Sequence, residues 1–168
     1  KGKGLEKGGS LRRQYQHVTD VLPTILEMLG IDSPKERKGQ KLVEPTGNSF
    51  LTSFENEEAE STHKLQYYEQ EGHRGIYRDG WSAVTCHQKR TSFETDKWEL
   101  FELATDPTET RDLSDKHPEV LAELKDLWEK EAWANQVFPL DEGTGLKNIA
   151  RPQWEEELEQ TFSFLPDT

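Results

Sequence analysis

The sequence predicts an α+β fold: a four-stranded antiparallel sheet packed by one long C-terminal helix and preceded by a single shorter helix. Three observations predict it. Four short segments rich in aromatic and β-branched residues follow one another between residues 64 and 103, and Asp79-Gly80 joins two of them as the favoured dipeptide of a two-residue hairpin turn. From Pro118 onward, apolar residues recur at helical spacing. Leu, Ile, Val and Phe total only 35 of the 168 residues, while sixteen aromatic residues argue against disorder. A chain this polar with this aromatic content is expected to lean on something larger.

Residues 1–9 carry four glycines and read as loop. Gly2-x-Gly4 has no strand before it, so it makes a poor phosphate cradle. Val18, Val21, Leu22, Ile25, Leu26 and Leu29 then recur at i, i+3, i+4, i+7, which predicts an amphipathic helix over 17–30. Asp20 is placed to cap its N-terminus, Pro23 falls in the first turn where a missing N–H costs nothing, and Gly30 supplies a left-handed stop. Residues 31–63 read mostly as a surface excursion, broken by Ser33-Pro34, Gly39 and Pro45-Thr-Gly47, with Phe50, Leu51 and Phe54 able to pack. The strands are expected over 64–69, 75–78, 81–87 and 98–103, in meander order. In the fourth, Trp98 and Leu100 differ in parity from Phe101 and Leu103, so both faces of the sheet are expected to be partly covered. Asp106-Pro-Thr-Glu109 is a turn, after which Leu113 returns to the sheet. The long helix starts at Pro118, which suits the first helical position, and Val120, Leu121, Leu124, Leu127, Trp128 and Ala132 form the stripe that crosses the sheet. Beyond it, 137–140 is an apolar anchor, 154–159 an acidic stretch, and Thr161-Phe-Ser-Phe-Leu-Pro166 reads as the opening of a further strand.

Charge and composition exclude several classes. With 33 acidic residues against 21 Lys and Arg, the net charge is −12, which disfavours nucleic acid and anionic membrane surfaces. No apolar run approaches the ~20 residues that span a bilayer. A single cysteine allows neither an internal disulfide nor a cysteine-based zinc site.

The candidates for chemistry are few. Cys86 stands beside His87, but neighbours on a strand point to opposite faces, so His87 is not placed as its base and Cys86 reads as a small buried hydrophobe. The five histidines, His17, His63, His73, His87 and His117, show no metal-binding spacing, so no metal ligand is assigned. Asp20 lies three residues from His17 but reads as a cap. His73, in Glu71-Gly-His-Arg74, is placed at a turn between strands where function concentrates, with Arg74 beside it as an anion contact. Glu69 and Glu71 share a face without evident burial, and no nucleophile elbow or phosphate-binding loop occurs. No catalytic residue is assigned.

The order of motifs, Gln14-Tyr-Gln-His-Val-Thr-Asp-Val-Leu-Pro-Thr-Ile-Leu-Glu-Met-Leu-Gly30, Pro45-x-Gly-x-Ser-Phe50, Gln66-Tyr-Tyr-Glu-x-x-Gly-His-Arg-Gly-Ile-Tyr-Arg-Asp-Gly-Trp81 and Trp98-Glu-Leu-Phe-Glu-Leu-x-x-Asp-Pro-x-Glu-x-x-Asp-Leu113, resembles the C-terminal portion of bacterial arylsulfatases, in the sulfatase family of the alkaline-phosphatase-like superfamily. The resemblance runs from about residue 8 to residue 140. It implies a hydrolase of sulfate esters whose large α/β domain carries a calcium ion and a formylglycine nucleophile made within C/S-x-P-x-R. Cys86 has Arg90 at the matching position but Gln88 where the proline belongs, and no calcium-binding segment has a counterpart here.

By this resemblance the chain is a fragment. Residues 1–63 would form the C-terminal edge of the catalytic domain, including the rim helix; 64–136 a small closing domain; and 137–168 a tail leading into a further β region. His73 and Arg74 would stand at the rim of the substrate pocket, and a sulfate ester would be met through the catalytic domain. The compartment, periplasm or cytoplasm of a bacterium, stays open. The competing expectation is a non-catalytic carbohydrate-binding or protein-interaction module built on Trp81, Trp98, Trp128 and Trp154.

Overall fold

The computed structural model describes residues 9–140. The expectations for Gly2-x-Gly4, Trp154 and 161–166 lie outside the described residues. The fold is the expected α+β arrangement. A 3-10 turn, Val18–Asp20, runs into helix α1, Val21–Leu29; a two-stranded ribbon of β1, Glu36–Arg37, and β2, Gln40–Lys41, follows, and then a single turn of helix, α2, Thr52–Glu55. The sheet comprises β3, Leu65–Gln70; β4, His73–Arg78; β5, Trp81–Thr85; and β6, Trp98–Glu102, in the order β3-β4-β5-β6 with every pair antiparallel. Helix α3, Pro118–Ala134, closes the unit.

Two dipeptide turns fix the sheet. Asp79 and Gly80 both take positive φ, 48° and 92°, as the hairpin turn whose twist matches the strands requires. Glu71 and Gly72 do the same at 54° and 90°. That second turn is tighter than the sequence suggests, because Glu71 lacks the usual turn chemistry; its cost is offset locally by Glu69, whose carboxylate accepts the Gly72 N–H at 2.8 Å. β4 therefore begins at His73, two residues earlier than expected.

Strand parity then sorts the side chains. Tyr67, Ile76, Ala83 and Leu100 are aligned across the four strands. Ile76, Ala83, Trp98 and Leu100 pack with Leu124, Trp128 and Ala132 of α3 as the buried core. The Trp128 indole N–H donates to the Tyr68 carbonyl at 3.0 Å, so the ring is pinned across the sheet as well as buried. Leu113 is buried, and its N–H donates to the Leu100 carbonyl at 2.8 Å. The opposite face is partly covered, as the parity of β6 implies: Tyr77 and Phe101 are buried, and Tyr15 stacks on Tyr77 with 3.5 Å between ring centroids.

The region before the sheet departs from expectation. α1 forms and stops at Gly30, φ 63°, but its apolar stripe faces outward and its polar side is the buried one. Asp20 does not cap α1 with its side chain. It completes a capping box on the 3-10 turn by accepting the His17 N–H at 2.7 Å, and also accepts the Asn48 N–H at 2.8 Å. Thr24 donates to the Asp20 carbonyl at 2.7 Å and accepts the Phe50 N–H at 3.1 Å. These four bonds hold α1 polar side down. The loop at 47–50 can come this close because Gly47 lies against the Thr19 carbonyl, where a Cβ would overlap backbone atoms. Gly47→Ala is expected to cost about 1–3 kcal/mol as an overpacking change, read as a lower urea midpoint at unchanged m-value.

Candidate functional site

The part of the second sheet face that Tyr15 does not cover is an open cleft of about 540 Å³, lined among others by His17, Tyr68, His73, Gly75, Val84 and Cys86. Strand pairing builds it. Tyr68 lies opposite Gly75, and Gly75 opposite Val84, so the absent side chain at 75 makes the floor low between a phenol and a valine. A Cβ there would meet Val84 at 3.4 Å.

Behind His17 and Gln66, which line the cleft, lies a buried polar cluster. Asp20, fully buried, faces His63 with 2.7 Å between Oδ1 and Nδ1, and His63 Nε2 lies 3.1 Å from Gln66 Oε1. Burial alone would raise the Asp20 carboxyl; the N–H groups of His17 and Asn48 and the His63 ring more than offset it and hold the group below its ordinary value. The His17 ring stands edge-on to Tyr68 at 5.9 Å. The hydroxyls of Tyr15 and Tyr68 hydrogen-bond to each other. Burial, followed by that bond, pushes the Tyr15 phenol well above its usual value and keeps it protonated.

At the other end, the sequence-predicted pair His73 and Arg74 is split by strand alternation. His73 is exposed on the cleft side, and its Nδ1 accepts the His87 N–H at 3.1 Å. That bond places the ring proton on Nε2, so the neutral imidazole offers an N–H donor to an anionic or hydroxylic ligand. Arg74 turns to the α3 side. Its side chain is 10% exposed and is paired with Asp96, and the guanidinium carbon lies 5.2 Å from the Phe93 and Trp98 ring centroids and 5.5 Å from that of Trp128. Asp96 also takes the buried His87 ring, Nδ1 to Oδ2 3.0 Å. Arg74 therefore holds the strand ends in place, while the cleft itself receives His73.

Cys86 is exposed and lines the same cleft, which corrects the expectation of a buried cysteine. β5 ends at Thr85, so the alternation that buries His87 turns the thiol outward. His87 is not its base, as alternation requires. The tryptophans proposed as a binding platform are committed elsewhere: Trp98 and Trp128 are core, and Trp81 packs its ring against His117 at 5.3 Å. Among the described residues no group of three His, Cys, Asp or Glu side chains could hold a metal ion, and no helix is long and apolar enough to cross a membrane. Sequence reading missed the Asp20–His63 pair. Their separation of 43 positions carries no spacing signal, and Asp20 satisfied a cap pattern that hid its second use.

Comparison with known proteins gives a consistent result. The family model described as N-sulphoglucosamine sulphohydrolase, C-terminal, matches residues 3–133. An uncharacterized sulfatase of Schizosaccharomyces pombe is 29% identical over 128 residues, which is 74% of this chain and 22% of that protein. The crystal structure of Ps i-CgsB superposes with a TM-score of 0.52 at 20% identity over 79% of this chain and 29% of its own; its complex with k-i-k-neocarrahexaose gives 0.51 over the same shares. These structural likenesses show the fold. The chain spans between about a fifth and a third of the length of the proteins it matches.

Proposed function

Since the chain belongs to the N-sulphoglucosamine sulphohydrolase C-terminal family, and so is a sulfatase C-terminal portion, we propose that it completes a sulfate ester hydrolase of the arylsulfatase type by forming one wall of the substrate pocket and stabilising the catalytic domain. In this reading residues 1–63 belong to the edge of the catalytic domain, 64–136 form the small closing domain, and the tail leads onward. The observation that carries it is the family match over residues 3–133, joined to an open cleft that presents the Nε2–H of His73. A sulfate oxygen or a sugar hydroxyl is the ligand such a donor suits, and the pocket-rim role rests on His73 with Arg74 bracing its strand from behind.

The bond-breaking chemistry falls to residues outside this chain. Calcium and formylglycine would supply charge neutralisation and the nucleophile. The residues here do not fit either group: Gln88 stands in place of the proline of the formylglycine motif, and among the described residues no three metal-ligating side chains converge. No step of hydrolysis is assigned to this chain.

The test is steady-state kinetics on the full-length sulfatase containing this segment, with an aryl sulfate and a sulfated glucosamine as alternative substrates. Loss of one hydrogen bond to a charged oxygen is expected to raise KM about tenfold in His73→Ala with kcat within about twofold. An unchanged KM for both substrates would remove His73 from the rim. The 168-residue chain alone is expected to hydrolyse neither; turnover abolished by Cys86→Ala would overturn the division of labour.

A further inference from the structure

A second hollow lies on the α3 side of the sheet, away from the cleft that holds His73. It measures about 670 Å³ and is lined among others by Arg74, Phe93, Phe138, Pro139 and Leu140. Phe93 and Phe138 are only partly buried and give it an apolar lining, while Trp98 and Trp128 stay in the core behind them. The apolar surface continues outside the hollow: Trp133 is 65% exposed, and its ring centroid lies 4.7 Å from that of Phe138. The period of α3 sets this arrangement, since Asp126, Glu129 and Trp133 fall at i, i+3 and i+7 on one face. Glu94, Lys125, Asp126 and Glu129 are exposed around the hollow, and among the described residues none of these four side chains is paired with a neighbour.

We propose that this hollow and the Trp133 ring form a second, non-catalytic binding site for a neutral saccharide chain. The ligand class follows from what the lining accepts and refuses. Arg74 is already neutralised by Asp96, and three carboxylates against one ammonium at the rim repel an anion. A cation gains little inside, where the guanidinium already lies against Phe93, Trp98 and Trp128. A pyranose ring suits both parts. Its C–H face packs on the exposed indole and phenyl rings, and its hydroxyls donate to the carboxylates and accept from Lys125. The size of the hollow, with an apolar lining and a few polar groups at its edge, is that of a small-molecule pocket. The site stands on the opposite side of the sheet from His73 and does not rest on the hydrolase reading.

Isothermal titration calorimetry of the full-length protein containing this segment tests it, with cellotetraose, β-1,4-mannotetraose and β-1,4-galactotetraose as neutral ligands and tetragalacturonate as the charged one. At least one neutral tetrasaccharide is expected to bind saturably, and at least about tenfold more weakly in Trp133→Ala. Trp133→Phe, which keeps a ring against Phe138, should restore most of that binding, and His73→Ala should leave it within about twofold, which separates this site from the cleft. Tetragalacturonate should bind at least about tenfold more weakly than the best neutral ligand. No saturable binding of any neutral tetrasaccharide overturns the proposal, as does binding that Trp133→Ala leaves unchanged. Equal affinity for tetragalacturonate overturns the neutral class. A dimer in sedimentation that Trp133→Ala dissolves would assign the surface to a second copy, and binding seen only after deletion of residues 141–168 would assign it to that segment; either result also overturns the proposal. Sulfate ester turnover of the same protein is read separately and bears on the hydrolase reading alone.

Discussion

Asp20→Ala is expected to cost the fold about 3–5 kcal/mol, because it strips a fully buried carboxylate from three donors at once. The N–H groups of His17 and Asn48 and the ring of His63 all point at this one side chain at 2.7–2.8 Å. Each donor left without an acceptor in the interior carries its own desolvation penalty, and replacement by a methyl group leaves no room for compensation. The loss should appear as a lower urea midpoint and as faster exchange at 17–24 and 48–50, while the sheet keeps its protection. The pH dependence has a defined sign. The carboxyl is held below its ordinary value in the folded state, so its contribution is present in full above the unfolded value of about 3.9 and is lost as pH falls through the lower folded value. Asp20→Asn removes that titration, and the stability gap between wild type and this variant should therefore narrow below about pH 4. A gap that stays constant from pH 7 to pH 3 would show that the carboxylate charge contributes nothing.

The legible and illegible parts of this molecule separate on physical grounds. The meander was readable because its signals are local: Asp79-Gly80 dictates a turn by backbone preference, and Pro118 with the Val120 to Ala132 stripe dictates a helix by period. The orientation of α1 was not, because periodicity reports that a helix has an apolar side and is silent on which side its own chain supplies a partner for. Here Asp20 and Thr24 decide it, through bonds to residues 26 to 43 positions away. The same limit applies at the cleft. The sequence places His73 and Arg74 together at a turn, but once Glu71 and Gly72 form the turn alone, the two become consecutive strand residues and parity sends them to opposite faces. Cys86 escaped for a related reason: one residue of strand length decides whether its thiol meets a neighbour or the solvent.

The other large effect is expected at Asp96, whose side chain is 3% exposed and which is the one acidic partner of the Arg74 guanidinium among the described residues, within a wall of aromatic rings. Asp96→Ala leaves a buried cation supported, among the described residues, by the Phe93 carbonyl, which accepts from Nη2 at 3.3 Å, and by the faces of Phe93, Trp98 and Trp128. Such faces contribute up to about 2 kcal/mol, whereas breaking one side of a buried pair costs about 3–5 kcal/mol. The loss should therefore exceed what cation–π contact can retain. Removing both charges is different, because an apolar side chain of similar length suits the rings: Arg74→Met with Asp96→Ala is expected to recover the part of the loss that the unpaired guanidinium causes, though not the part that the His87 ring causes, giving a coupling of about 2 kcal/mol or more in the double-mutant cycle. Additive single effects would mean that the pair contributes only packing. The recovery should not extend to the cleft. His87 Nδ1 depends on Asp96, its buried Nε2 meets no partner among the described residues, and its backbone N–H is what orients His73. With Asp96 gone in either variant, the His87 ring is free to shift against Phe93, the proton of His73 is no longer confined to Nε2, and KM in the full-length sulfatase should stay raised although the stability owed to the guanidinium has returned. A KM that recovers together with the stability would show that His73 is oriented by its own strand and owes nothing to the buried Asp96–His87 pair.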